Sequence, residues 1–323
     1  MQRKIRWGIV GAGRIAQAFV KDMAFVTNAE VSAVAARNLE NAKSFATEFH
    51  IPKAYGSYAE LFADVDVDAI YIATPHNLHF EQALLAMKAG KHILCEKPVT
   101  VSSDECRQLI DTAKEQGVFF MEAIWTYFLP AIRKAQAWVD AGRIGRIRHL
   151  KADFGYPLPY DANRREYDAD LAGGCLLEMG VYTVAITDLF IKEEPSYCYS
   201  SVKFAPNGVE QDVVSVISFS DAIATIASSF SAKLQNWAYI IGERGYIAIP
   251  NFWRANDCYL YELDQQIDAF DDGRSSLGFD YQIQSVSDDI LAGKLESGIV
   301  THAMSLSFQE RMEIIKGTWI DHN

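Results

Sequence analysis

The chain has 323 residues, half of them hydrophobic, and its 42 acidic against 30 basic side chains leave a net charge of −12. That length is enough for a large core and points to two domains at roughly 150 residues each. An acidic pI near 5.1 argues against a sequence-independent grip on nucleic acid, which needs a basic face.

No run of about 18 apolar residues is present, so no membrane span is expected. The N-terminal apolar patch is too short for a signal peptide and enters a turn at once, so a cytoplasmic protein is expected. Read in chain order, "IRWGIV" is a strand and "RIAQAFVKDMAF" a helix. The strand "EVSAVAA", the helical "LENAKSFATEF" and the strand "DAIYIAT" follow. "HFEQALLAMKAG" is a helix stopped by glycine, "KHILC" is a strand, and "SSDECRQLIDTAKEQG" is a helix opened by serine and closed by glycine. "VFFMEA" ends the series. Strands alternating with helices of this length imply βαβ units and a parallel, doubly wound Rossmann-type sheet over residues 1–122.

From residue 123 the rhythm changes. A linking helix, "LPAIRKAQAWVDAGRIG", leads into a succession of strands: "IRHLKADF", "YCYSSVKF", "VVSVISFS", "AIATIASSF", "NWAYIIG", "GYIAIP" and "CYLYEL". Period-two alternation in "VSVISF" fits a sheet with one face covered. Two helices, "FDYQIQSVSDDILAG" and "MSLSFQERMEIIKGTW", close the chain. Residues 123–323 are therefore expected to form an α+β domain around a large, mainly antiparallel open sheet, with the terminal helices able to pack back on the first domain. Cys95, Cys106, Cys175, Cys198 and Cys258 form no CxxC pair and no metal-ligand spacing, so free thiols and no metal are expected.

"GIVGAGRIA" places Gly11, Gly13 and Ala16 in the G-x-G-x-x-G/A pattern of a dinucleotide turn, directly after a strand and opening a helix with Arg14 and Ile15. The helix N-terminus offers open N–H groups to a pyrophosphate. An NAD site usually carries an acid after the second strand to hold the ribose 2′-OH. This chain reads "AVAARN" there and has Arg37, whose guanidinium suits a 2′-phosphate. NADP(H) is therefore expected over NAD(H).

"YIATPHNLHF" ends a strand in Thr74 and Pro75, and "KHILCEKP" ends the next in Glu96, Lys97 and Pro98. Both ends lie at the carboxyl edge of the sheet. With "GAGRIA", "ATPHNLH", "EKP" and "GGCLLEMGVYTVAITD" in this order, the whole chain resembles the glucose-fructose oxidoreductase / inositol dehydrogenase / rhizopine catabolism (Gfo/Idh/MocA) family. "MEAIWTYFLP" resembles its branch of dimeric dihydrodiol dehydrogenases and NADP-dependent D-xylose dehydrogenases.

The resemblance implies that Lys97 points at nicotinamide and substrate, where it can donate to the oxygen on which charge develops. It further implies that Glu96 holds the nicotinamide ribose or orients the lysine, that Lys97–Pro98 is cis, and that Thr74, Pro75, Asn77 and His79 flank the cofactor. His79 could instead cap a helix. Most of the family carries an aspartate and, four residues on, a histidine in the second motif; here these are Glu178 and Tyr182. The spacing puts both on one helix face, and the dihydrodiol dehydrogenase branch takes the tyrosine as acid/base. The departure leaves Glu178 open between function and structure. Trp125, Phe154 and Tyr156 suit an apolar wall for a sugar face or aromatic diol, and a loop with Asn163, Arg164 and Arg165 could reach the substrate. The expected activity is NADP(H)-dependent hydride transfer at a hydroxyl-bearing carbon of a sugar or trans-dihydrodiol, by a homodimer or higher homo-oligomer. A nucleotide-sensing regulator on the same fold is the alternative, but it has no need of Lys97 and Tyr182.

Overall fold

The computed structural model describes residues 3–319. The chain divides into two compact units: the first takes the chain up to Trp125 and again Arg274–Leu306, the second Thr126–Gly273 and the chain from Ser307 on.

The first unit begins with β1 (Ile5–Val10), α1 (Arg14–Asp22), β2 (Ala29–Ala35), α2 (Leu39–Phe49), β3 (Lys53–Tyr55) and α3 (Tyr58–Ala63). It continues with β4 (Ala69–Ile72), α4 (His79–Lys88), β5 (His92–Cys95), α5 (Ser103–Gln116) and β6 (Phe120–Glu122). All strands pair in parallel in the order β3-β2-β1-β4-β5-β6. The sheet is covered on both faces, which is why β4 is buried along its whole length and reads as an unbroken apolar run. Side-chain caps set the helix starts: Asn38 accepts from Glu40 N, Ser57 from Glu60 N and Ser102 from Glu105 N. The strand order reverses between β1 and β4, and that reversal opens a crevice at the carboxyl ends of these two strands.

The second unit holds α6 (Pro130–Asp140), β7 (Ile147–Gly155), α7 (Val181–Phe190), β8 (Tyr197–Phe204), β9 (Glu210–Ser218) and β10 (Ile223–Ser229). β11 (Ala238–Gly242), β12 (Tyr246–Ile249), β13 (Asp257–Glu262) and β14 (Gln265–Asp271) complete its sheet. The order is β14-β13-β12-β11-β7-β10-β9-β8, antiparallel except between β7 and β10. On β9, Val213, Ser215 and Ile217 face inward while Val214 and Val216 are exposed. The stretch Ala169–Phe190 has the length and hydropathy of a membrane span, but α7 is buried on nearly every side and forms core.

The last helices are α8 (Phe279–Leu291) and α9 (His302–Gly317). α8 belongs to the first unit. Its start is fastened by the buried Asp22, whose carboxylate accepts from Leu277 N at 2.9 Å and Phe279 N at 2.8 Å. The Trp7 indole donates to Ser287 Oγ at 3.2 Å. The break falls after Trp125 rather than at 122/123, and Arg274–Leu306, which carries α8, joins the first unit in the way allowed for the terminal helices. The architecture itself is the expected pair, a doubly wound parallel sheet and a large, mainly antiparallel one.

Candidate active site

At the end of β1 the chain turns on Gly11, with φ +97°; a Cβ there would lie 2.8 Å from the Ala73 carbonyl oxygen. Only glycine fits. Gly13 has ordinary φ, and a Cβ added to it would meet no protein atom within 4 Å. Its small size keeps the start of α1 open, where no side chain caps the helix. The first-turn N–H groups are thus available to an anion, with the helix dipole behind them. Ala16 is fully buried against the sheet, while Arg14 and Ile15 are exposed in the first turn.

A cleft of about 520 Å³ runs along this edge, lined by Gly11, Gly13, Arg37, Asn38, Asn41, Ser44, Tyr58, Thr74 and Pro75, with Glu48 as an acid in its wall. Arg37 is exposed just beyond β2 and has no salt-bridge partner among the described residues. An adjoining groove of about 490 Å³ between α3 and α4 shares Arg37, Tyr58 and Leu78, and adds Phe62 and Leu85. The residues fit a dinucleotide: open N–H groups for pyrophosphate, the Arg37 guanidinium in the cleft wall, and an apolar groove for a base. Asn41, Ser44 and Tyr58 were invisible to the motif, because only the fold brings α2 and α3 beside the glycine turn.

The two strand ends beyond the cleft are tied together by His79. This ring is fully buried, with Nδ1 2.8 Å from Pro98 O and Nε2 2.8 Å from Thr74 O. Burial pushes its pKa down to about 4, outweighing two carbonyls that favour a second proton. The neutral ring donates from one nitrogen at a time. His79 therefore clamps β4's end to β5's end, and it is not among the residues that line the cleft. Asn77 is exposed and lies outside the cleft lining as well.

Lys97 follows β5 half-buried, and the Lys97–Pro98 bond is cis. Glu96 is buried; its Oε1 accepts from the Tyr71 hydroxyl at 2.5 Å and its Oε2 from Lys97 N at 3.3 Å. Tyr71 in turn stacks on Phe19 at 3.9 Å between ring centroids. These contacts fit the orienting role for Glu96 better than the ribose-holding one. Trp125, expected in the substrate wall, is buried and stacks on Phe279 at 4.4 Å and 6°.

In the second unit, Leu176–Gly180 forms a π-helical turn that runs directly into α7. The i, i+4 argument for Glu178 and Tyr182 assumed α geometry; the wider turn changes the angular step between them, and such turns recur at functional sites. Glu178 is half-buried and accepts from Arg165 Nη2 at 3.1 Å, with Glu166 3.8 Å from the same nitrogen. Tyr182 is 7% exposed. Its ring lies 5.7 Å from Phe154 and 6.2 Å from Trp253, and those two stack on each other at 4.9 Å. Tyr156 meets Phe154 edge-on at 6.0 Å. Trp253, on a 3-10 turn after β12, belongs to this aromatic cluster, and sequence reasoning passed over it. Asn163 and Arg164 are exposed and are not part of this cluster.

Comparison with known proteins gives these units relatives. A family model described as "Oxidoreductase family, NAD-binding Rossmann fold" matches residues 5–124, and one for the GFO/IDH/MocA C-terminal domain matches 132–248. The chain is similar to trans-1,2-dihydrobenzene-1,2-diol dehydrogenase of Mus musculus, 39% identical over 77% of this chain and 75% of that one. The enzyme of the same name from Xenopus tropicalis is 34% identical over 93% of each. Among solved structures, a 3-ketoreductase from Actinomadura kijaniata in complex with NADP and TDP-benzene has a TM-score of 0.88 at 25% identity, covering 98% of both chains. An aldose-aldose oxidoreductase from Caulobacter crescentus shares the fold, with a TM-score of 0.90 at 23% identity over 98% of this chain and 97% of its own.

Proposed function

The chain belongs to the GFO/IDH/MocA oxidoreductase family, and on that premise we propose that it is an NADP(H)-dependent dehydrogenase acting on a hydroxyl-bearing carbon of a sugar or trans-dihydrodiol. The observation that carries this reading is the strand end at Glu96-Lys97, held by Tyr71 and His79 beside the end of β4, whose Thr74 and Pro75 line the dinucleotide cleft. NADP⁺, when bound, would accept hydride from the carbinol carbon. Tyr182, as its phenolate, would take the hydroxyl proton and become the neutral phenol, and Lys97 would donate a hydrogen bond to the same oxygen as charge gathers on it. Phe154, Tyr156 and Trp253 offer flat apolar surface for a ring.

The charge of Arg165 is already met by Glu178, which suits an uncharged substrate better than a phosphorylated one. The experiment that tests the reading is turnover of NADP⁺ with D-xylose, glucose and a trans-dihydrodiol, assayed side by side with the corresponding sugar phosphate. Tight NADP⁺ binding with no turnover on any of them would favour the nucleotide-sensing alternative.

Arg37 supports NADP(H) over NAD(H). A charge-assisted hydrogen bond contributes roughly 1.5–3 kcal/mol, or about ten- to 150-fold in affinity. Arg37→Ala is expected to weaken NADP⁺ by about that factor in a fluorescence titration and leave NAD⁺ nearly unchanged. Equal affinity of the unaltered protein for both cofactors would remove Arg37 from this role.

The exposed face of the second sheet supports a homodimer in solution. Tyr197 and Tyr199 on β8, Val214 and Val216 on β9 and Ile223 on β10 are all exposed large hydrophobics on neighbouring strands. Such a continuous patch is characteristic of an interface. Light scattering is expected to report two chains for the unaltered protein and one for Val214→Asp/Val216→Asp. A monomer before any substitution rules this assembly out. The five cysteines are free thiols, in keeping with a reducing, cytoplasmic setting.

A further inference from the structure

Behind Lys97 lies a carboxyl group that neither the dinucleotide cleft nor the proton transfer uses. β6 pairs with β5 in parallel register with Cys95 opposite Glu122, so Glu122 ends its strand level with the last residue of β5. Its side chain is fully buried. Oε1 accepts from Val99 N at 2.9 Å, and Oε2 has no hydrogen-bond partner among the described residues. One residue on, Ala123 N donates to Cys95 O at 2.7 Å. The short edge strand therefore grips the chain on both sides of Glu96-Lys97-Pro98, at Cys95 before it and at Val99 after it.

We propose that Glu122 is a positioning residue for Lys97, holding the backbone turn at Val99 so that the ammonium is presented in a fixed direction. This rests on the reading of Lys97 as part of the oxidoreductase site. A carboxyl group is a costly choice for a purely structural contact, since burying one that is incompletely paired is unfavourable. Cys95, Glu96 and Lys97 face it from the end of β5 and Ser305 from α9. Burial is the main cause that lifts its pKa to about 7, with Glu96 adding to the rise; Val99 N–H, Ser305 and Lys97 oppose it. The ionised form makes the stronger, charge-assisted bond to Val99 and attracts the Lys97 ammonium. Positioning should thus improve as pH rises through about 7.

Stability runs the other way. A carboxyl raised from its ordinary 4.5 to about 7 adds stability that is complete below about 4.5 and lost as pH rises through about 7.

Glu122→Gln keeps the shape and a carbonyl for Val99 N–H but cannot ionise. The test compares kcat, KM, NADP⁺ affinity and thermal midpoint of the full chain and this variant from pH 5.5 to 9, with Glu122→Asp as a second, ionisable variant. Displacing a reacting group by about 1 Å costs about 10²-fold. At pH 8, kcat of Glu122→Gln is expected to fall by about ten- to 100-fold, with KM and NADP⁺ affinity nearly unchanged. An ionisation near pH 7 in the kcat profile should disappear in Glu122→Gln and survive in Glu122→Asp. The midpoint of Glu122→Gln should gain on the unaltered protein between pH 5.5 and 8. An active unaltered protein whose kcat profile is matched by Glu122→Gln overturns the inference, as does a midpoint lowered equally at every pH with kcat intact. An unaltered protein that turns over none of the substrates refutes the dehydrogenase reading itself, and this inference with it.

Discussion

Replacing Tyr182 by phenylalanine should lower turnover by about 10²–10⁴, the usual contribution of a positioned acid/base, while the fold and NADP⁺ affinity persist. The substitution keeps the ring, and the ring is what packs: it lies against Phe154 and Trp253 and is nearly excluded from solvent. Only the hydroxyl is lost, so the stability change is confined to one hydrogen bond, about 0.5–1.5 kcal/mol. The residues that line the dinucleotide cleft belong to the first unit and remain untouched. Steady-state kcat, an NADPH fluorescence titration and a thermal melt on the same preparation check the three parts together. Turnover within about threefold of the unaltered protein would falsify the acid/base role and return Tyr182 to the core of the second unit. A large loss of NADP⁺ affinity would also sink it, since a proton acceptor for the substrate has no reason to hold the nucleotide.

What could be read from the sequence were the features whose cause is local. Gly11 is legible because a positive φ at a strand end admits almost nothing else, and Arg37 because it stands where an acid is otherwise expected. The inner strands of the first sheet are legible because burial on both faces writes them as apolar runs, whereas the half-buried edge strand β3 carries no such run. β14 was missed for the opposite reason: as an edge strand of "QQIDAFD" it exposes most of its side chains, and its polar composition resembles a loop. The return of Arg274–Leu306 to the first unit depends on Asp22 meeting the start of α8, two groups more than 250 residues apart in the chain. No periodicity records such a contact. Likewise His79 stands in a motif that places it near the cofactor, and only the geometry shows both ring nitrogens directed to backbone carbonyls. Trp125 and Trp253 follow the same principle: residue type alone does not record that one ring meets Phe279 and the other Phe154.

Lys97→Met should be at least as damaging as the loss of the Tyr182 hydroxyl. Methionine keeps an unbranched apolar stem of similar reach, so the half-buried path of the side chain and the Glu96–Tyr71 contact behind it should survive. The ammonium does not. Its removal takes away the donor to the substrate oxygen at the moment charge develops there, an effect typically worth about 10²–10³ in kcat for a single donor. The decisive result is the double variant. If both side chains serve the same oxygen and the same proton, Lys97→Met/Tyr182→Phe should be little worse than the poorer single variant, because residues acting as a unit are strongly non-additive. Losses that multiply in full would mean that the two act on separate steps, with Lys97 engaged on the nicotinamide side alone. Conversion to Arg distinguishes charge from geometry: a planar fork cannot reproduce a compact point donor, so Lys97→Arg should recover little of the activity that Lys97→Met loses.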